Sequence, residues 1–460
     1  MRRPPAETGM PPASLLRVRT VVVGLVVVLV VLLSGCADHS DWVQFRGDGG
    51  RGQTRNEMQP PLGIRWRFAL QSNSDAFAFN NLVVKDDSLY FGSTDGNFYS
   101  MIIETGYMNW VHRTDAPVNS VPVVDDERVY FGSNDGYLYA VNRESGEEAW
   151  TYRAGRPVQS TVVTYEDTIV FGIDGVGVQF LSRSDGEPVH SIDNPIWLRV
   201  SLQVDDDIMY IVPGPPENPR SLGVYNIPES RHQWLLPDEV MAATWYSFPA
   251  VNDERLFTQT SHISDGRMRY TTWALDREDG QVEWRREFDA DFSGNRPENL
   301  GRHFRSLTRI LDYQAPAIRH DQVISANGDN VLRAFNEATG EIEWETHLSN
   351  RTSSAPMISG DLVFVGIHGD DPDDRQPSGT PLSSSGTATA RGIQLAGEQG
   401  TTDRRERNEP RLAAFSAHSG RKVWELETDG AVLSPPVVAG RHMVFGTDEN
   451  VVYVLERVFG

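Results

Sequence analysis

Hydrophobic and polar positions along the chain alternate in short runs, broken by acidic and glycine-containing turns. Residues 119–124 alternate and are followed by Asp125-Asp126-Glu127-Arg128. Residues 129–133 are β-branched and aromatic, and Asn134-Asp135-Gly136 follows. Residues 137–142 alternate again, Arg143-Glu144-Ser145-Gly146-Glu147 turns the chain, and residues 148–153 carry Trp150. A period of two bounded by turn residues predicts strands joined by tight hairpins. The unit thus holds four strands, A to D, in about forty residues, the size of one propeller blade.

The same unit recurs. Leu89 to Asn97 (LYFGSTDGN) matches Val129 to Tyr137 (VYFGSNDGY), and Ile169 to Gly175 and Met443 to Asn450 are further copies. A second element, AVNRESGEEAW at 140–150, returns at 274–284, 334–344 and 414–424, and with substitutions at 100–110, 180–190 and 224–234. Its terminal aromatic positions are Trp66, Trp110, Trp150, His190, Trp234, Trp284, Trp344 and Trp424. They predict eight blades. The tryptophans are structural, placed to cover the seams between blades. The glycine before each suits a left-handed turn that other residues enter at a cost. The last unit, 430–460, stops after strand C, and Ile64 to Phe68 is a strand D without its own blade. We expect an all-β, eight-bladed propeller over 64–460 whose N-terminal strand completes the last blade and removes the exposed sheet edges.

Hairpin order places the A–B and C–D turns on one face and the B–C and D–A connections on the other. The A–B turns are short and mostly acidic. The insertions avoid them: 213–221, 259–269 and 370–410 are expected as B–C loops, and 286–305 and 236–246 as D–A loops. Loops on a rigid scaffold are where binding usually resides. Trp197, Trp245, Tyr246, Arg302, His303, Phe304 and Arg305 fall on this rim. Trp, Tyr and Arg are the residues that anchor interfaces, so these seven are the candidate partner contacts. Residues 370–410 hold almost no large apolar group and are expected to be disordered.

The first 35 residues are set apart. Arg2, Arg3, Arg17 and Arg19 precede an apolar run from Val21 to Leu33, and Leu33-Ser34-Gly35-Cys36 follows. That run is short for a membrane span and reads as a secretory signal. Its ending resembles a bacterial lipobox, which implies lipidation of Cys36 and anchoring by several acyl chains. Residues 36–63 would then be a tether reaching at most about 90 Å. It enters on the short-turn side, so we expect that face to look toward the membrane. Cys36 is the single cysteine, which excludes an internal disulfide and multi-cysteine metal sites. Acidic residues number 64 against 42 basic, for a net charge of −22. A field of that sign repels nucleic acid, which is not expected as a partner.

The AxNxxxGxxxW element resembles the tryptophan-docking motif of pyrroloquinoline-quinone-type propellers, and Trp42 to Asp48 (WVQFRGD) resembles the start of many secreted members. Lipobox, length and blade count resemble the BamB-like lipoproteins, non-enzymatic scaffolds of outer-membrane barrel assembly. That resemblance implies a periplasm-facing outer-membrane location and BamA as partner. The other branch, quinoprotein dehydrogenases, uses adjacent cysteines beside the quinone, and this sequence has no such pair. No catalytic residue, metal site or cofactor is expected. Asp289 to Gly294 begins like a calcium loop, but Leu300 stands where a bidentate glutamate is needed. The chain lacks a GxSxG elbow and HExxH spacing. A quinone- or other ligand-binding propeller and a cell-surface adhesion or polysaccharide-binding lipoprotein are the alternatives.

Overall fold

The computed structural model describes residues 41–458 except 45, 48–49, 55, 71–81, 174, 194–201, 212–222, 238–239, 241–244, 265–266, 291–314, 353 and 370–408. Its described strands form eight sheets, each built on a four-stranded antiparallel meander in sequence order save the last, and the sheets of blades five and seven gain one further short strand each. Blade one holds Val83–Lys85, Ser88–Gly92, Asn97–Ile102 and Met108–Arg113. Blade two holds Val123–Val124, Arg128–Gly132, Tyr137–Asn142 and Glu148–Arg153. Strands B, C and D of this unit match the alternation in the sequence. Strand A is shorter than its alternation because Pro122 has no N–H to give to the ladder.

Blade eight supplies Val437–Ala439, His442–Gly446 and Val451–Arg457, and its fourth strand is Leu62–Ala69 from the other end of the chain. Trp66 pairs with Val454 in that ladder. The expected closure is therefore the observed one, and it leaves the last blade without a raw edge. In all eight blades the C–D ladder carries a bulge beside the aromatic position. A bulge bends the strand and re-aims the next side chain. Here it turns the ring toward the following blade.

The core is divided among the seams. One apolar cluster joins blades one and two around Phe98, Trp110 and Phe131, where the two phenylalanines stack at 4.1 Å. Others join blades two and three around Trp150 and Phe171, and blades six and seven around Trp344 and Phe415. The largest cluster joins blades seven, eight and one and includes Trp42 and Met58.

The chain before the closing strand is not a slack tether. From Trp42 on it packs across the ends of the inner strands. Trp42 is 4% exposed and exchanges backbone hydrogen bonds of 2.7 and 2.9 Å with Val84 of blade one. The Val43 carbonyl accepts from Val124 of blade two, the Arg51 carbonyl from Ile318 of blade six, and the Gly52 carbonyl from Ile358 of blade seven. Gln53–Thr54 forms a parallel strand beside Met357–Ser359, the inner strand of blade seven. The propeller therefore begins near residue 41 rather than at 64. The physical reason is that the inner strands present unpaired N–H and C=O groups, and this strap satisfies them.

A second expectation is also corrected. Residues 259–264 and 267–269 lie in strands rather than in a loop. Arg255–Ser264 and Arg267–Asp276 are two continuous ten-residue strands paired from Arg255↔Asp276 to Ser264↔Arg267. Their alternation simply runs further than in other blades. Arg286 likewise lies inside strand D of blade five, Val282–Ala290.

Candidate functional site

The seams repeat one device. The indole N–H of Trp110 donates to the Arg143 carbonyl at 2.9 Å, Trp150 to Arg183 at 3.1 Å, and Trp234 to Arg277 at 2.9 Å. Trp284 donates to Glu337 at 2.9 Å, Trp344 to Ala417 at 2.7 Å, and Trp66 to Ile103 at 2.7 Å. Each acceptor lies in the C–D turn of the next blade. The ring packs on that turn's glycine: a Cβ at Gly146 would come within 2.6 Å of Trp110, and one at Gly340 within 2.5 Å of Trp284. Both glycines have positive φ, +71° and +65°. The motif thus needs glycine twice over, for conformation and for space. Trp424 is only partly buried. The turn that would receive it is replaced by the two ends of the chain in blade eight.

The exceptions to the motif coincide. His190 takes the tryptophan position of blade three and is exposed. The turn facing it, in blade four, has Ser230 at φ 51° in place of glycine. Without an indole to receive, that turn has no need of a bare Cα. This seam is held by an aliphatic cluster with Phe180, Met209 and Tyr225.

Ion pairs cross most of the same seams on the short-turn face. Arg143 reaches back to Asp86, Arg183 to Asp125 at 3.9 Å, and Arg277 to Asp205 at 2.8 Å. The arginine whose carbonyl takes the indole therefore also binds the preceding blade's A–B turn. Between blades five and six the polarity is inverted. Glu337 occupies the arginine position and meets Arg255 of the preceding blade at 3.0 Å. Burial acts against the Arg255 guanidinium, and Glu283 and Glu337 outweigh it, raising its pKa. Much of the acidity noted in the A–B turns is thus already neutralised within the ring.

Sequence reading missed two sets of residues. Ser120, Ser160, Ser247, Ser354 and Ser434 each accept a hydrogen bond from the backbone N–H twelve residues on, in strand B of the same blade. Each stands two or three residues before the strand A of its blade. Their recurrence at fixed distance from the glycine-aromatic element was the available signal. The second is the strap. Arg46 is 2% exposed and donates to the carbonyls of Ala315 at 2.8 Å and Pro316 at 2.5 Å. Burial lowers its pKa to about 9. The Arg51 guanidinium donates to the Val251 carbonyl at 3.0 Å, and the Thr54 hydroxyl donates to the Val438 carbonyl at 3.4 Å. The short-turn end of the ring is thus crossed by residues 42–58 of the chain itself.

Of the seven candidate rim contacts, Trp197, Arg302, His303, Phe304 and Arg305 lie outside the described residues. Trp245 and Tyr246 form a short strand paired with Ser261 and Thr260 of blade five rather than a loop. Cys36 and most of the 370–410 insertion also lie outside the described residues, as does all but the first two positions of the calcium-like stretch. Asp289 at its start binds Arg269 at 3.0 Å. Among the described residues no group of three or more His, Cys, Asp or Glu side chains could hold a metal ion.

Comparison with known proteins places the repeats. The profile of a family described as outer membrane protein assembly factor BamB matches residues 63–195, 229–372 and 373–460. The outer membrane protein assembly factor BamB of Shewanella oneidensis is 23% identical over 162 residues, 35% of this chain and 32% of that protein. The match therefore spans about a third of the relative's length. The crystal structure of BamB from Moraxella catarrhalis superposes with a TM-score of 0.58 at 14% identity, over 87% of this chain and 99% of that one. A quinohemoprotein alcohol dehydrogenase from Pseudomonas putida superposes with a TM-score of 0.62 at 13% identity, over 91% of this chain and 80% of that one. At such identities the superpositions speak for the fold alone.

Proposed function

Since the chain belongs to the family described as outer membrane protein assembly factor BamB, we propose that it is a non-enzymatic scaffold of the cell envelope that binds another envelope protein. The process would be outer-membrane β-barrel assembly, and the partner would be the barrel-assembly protein BamA. Cys36 would carry the lipid anchor and hold the protein on the outer membrane, facing the periplasm. The observation that carries this reading is the family match over most of the ring, taken with the strap. Residues 42–58 already occupy the short-turn end. A partner is left the rim of B–C and D–A connections, where Trp197, Trp245, Tyr246, Arg302, His303, Phe304 and Arg305 lie in the sequence.

The strap also sharpens the orientation. Trp42 lies six positions after Cys36, a span of at most about 20 Å when extended. An anchored ring would therefore keep its short-turn face near the bilayer and its rim turned away. The test is cross-linking in intact cells followed by purification from membranes and mass spectrometry. The expected result is a barrel-assembly protein at near-equal amount, cross-linked through the rim. Recovery of the chain alone, with stoichiometric uptake of a quinone, would replace the scaffold by a ligand-binding propeller.

A further inference from the structure

The chain meets the ring at one blade. The Asp41 carboxylate accepts from the Asp86 N–H at 2.8 Å and lies 3.4 Å from Lys85 Nζ, which fixes it on the A–B turn of blade one. Trp42 is bridged to Val84 of the same blade. That turn belongs to the short-turn face. Cys36 lies five positions before Asp41, at most about 18 Å along an extended chain. An anchor at Cys36 therefore draws blade one and its neighbours toward the bilayer before any other part of the ring.

The exposed apolar side chains gather at the same place. Among the described residues ten large apolar side chains are exposed, and five of them are on blades eight and one: Ile64, Val458, Tyr107, Met108 and Val111. The other five are spread over blades three, four, six and seven. All but Val111 of the first set stand at the short-turn end. Tyr107 is 73% exposed where the C–D turn of blade one ends, and Met108 begins strand D behind it. Ile64 and Val458 lie at the matching end of blade eight, where the Val458 N–H donates to the Pro61 carbonyl at 2.9 Å. A Cβ at Gly63 would meet Val458, and one at Gly106 would meet the Trp66 ring, so the two blades touch here. The Arg65 guanidinium ties Glu456 of blade eight, at 2.7 Å, to Glu104 of blade one. Arg441 also holds Glu104, at 2.6 Å. Glu104 and Glu456 are thus paired, while Tyr107, Met108, Ile64 and Val458 stay exposed. Clustered apolar groups of this kind mark a contact surface.

The tether decides what covers it. A domain of 100 residues has a radius of gyration of about 13 Å, too thick to lie between this corner and a bilayer held so close. We propose that the short-turn corner of blades eight and one rests on the bilayer surface, with Tyr107, Met108, Ile64 and Val458 entering the headgroup region. The inference rests on lipid anchoring at Cys36. A ring of net charge −22 is repelled by anionic lipid, so the contact is apolar and the lipid zwitterionic. Tyrosine suits that depth, because its ring is apolar and its hydroxyl stays in the hydrated layer.

Full-length protein purified from membranes and reconstituted in vesicles of phosphatidylethanolamine and phosphatidylcholine tests it. Tyr107→Cys and Met108→Cys each place a fluorescent label at the corner, and Val189→Cys places one on blade three at a residue 62% exposed. Acylated Cys36 offers no thiol to the label. Lipids brominated near the headgroup end of their chains should quench the labels at 107 and 108 at least about twofold more than the label at 189, as for groups entering about 5–10 Å. Two corner positions keep the test decisive if one variant fails to fold. Equal quenching at all three positions, or none at the corner, with Cys36 acylated by mass spectrometry, would overturn the corner contact and leave the anchoring intact. An unmodified Cys36 would overturn both.

Discussion

A single Cβ separates the turns that receive a tryptophan from the turn of blade four that faces His190. Gly146 and its counterparts hold positive φ under an indole ring, whereas Ser230 holds positive φ with His190 opposite. The two positions therefore answer differently to substitution. Gly146→Ala meets a strained backbone, about 1–2 kcal/mol, and a ring within 2.6 Å of the new Cβ. It should destabilise the protein by about 2 kcal/mol or more. Ser230→Gly relieves the same backbone strain with no ring to disturb and should stabilise by up to about 1 kcal/mol. Urea denaturation of both variants checks the pair. Equal and opposite shifts are not expected, since only Gly146 also carries the contact. The paired exception was legible in the sequence as two separate substitutions. That they face each other is a fact of the ring.

At the scale of elements, the blades are joined by a recurring ion pair that one seam reverses. Arg255 and Glu337 are largely buried, and Glu337 also accepts from Asn252 at 2.8 Å. Truncating one member leaves the other charge desolvated. Glu337→Ala and Arg255→Ala should each cost about 3 kcal/mol. The double variant should cost less than the sum by about 1–3 kcal/mol. A double-mutant cycle read by chemical denaturation measures this, and full additivity would mean the pair does not couple the blades. Strand content was readable from alternation because each blade repeats the same turn chemistry at short range. The long strands of blade five were not, because an extended hairpin and a polar insertion have the same composition. Only continued cross-strand pairing tells them apart.

For the whole molecule, the ring is fastened twice. One fastening is the strand Leu62–Ala69 in blade eight. The other is the strap, whose backbone and side chains reach inner strands of blades one, two, five, six, seven and eight. Trp42 anchors its start in the core cluster of blades seven, eight and one. Trp42→Ala should therefore destabilise the entire ring, by about 3–5 kcal/mol, although the residue lies outside every repeat. Thermal unfolding followed by tryptophan fluorescence checks this. A loss confined to local proteolysis near residue 42, with an unchanged midpoint, would mean the strap is not part of the cooperative unit.

The sequence by itself determined the blade count, the strand order within a blade, the seam tryptophans and the closure of blade eight. All of these follow from local patterns repeated at nearly constant spacing, so each copy corroborates the others. Tertiary structure alone decided the rest. The strap has no repeat to compare with, and its hydrogen bonds run to partners up to 384 residues away. Arg46 in WVQFRGD read as one charged residue in a tether, and only the ring shows that it is buried against carbonyls. The burial of Gln259 and Asn327 is likewise invisible in either strand alone. Gln259 and Asn327 are ordinary surface residues until the closing of the ring brings their blades face to face.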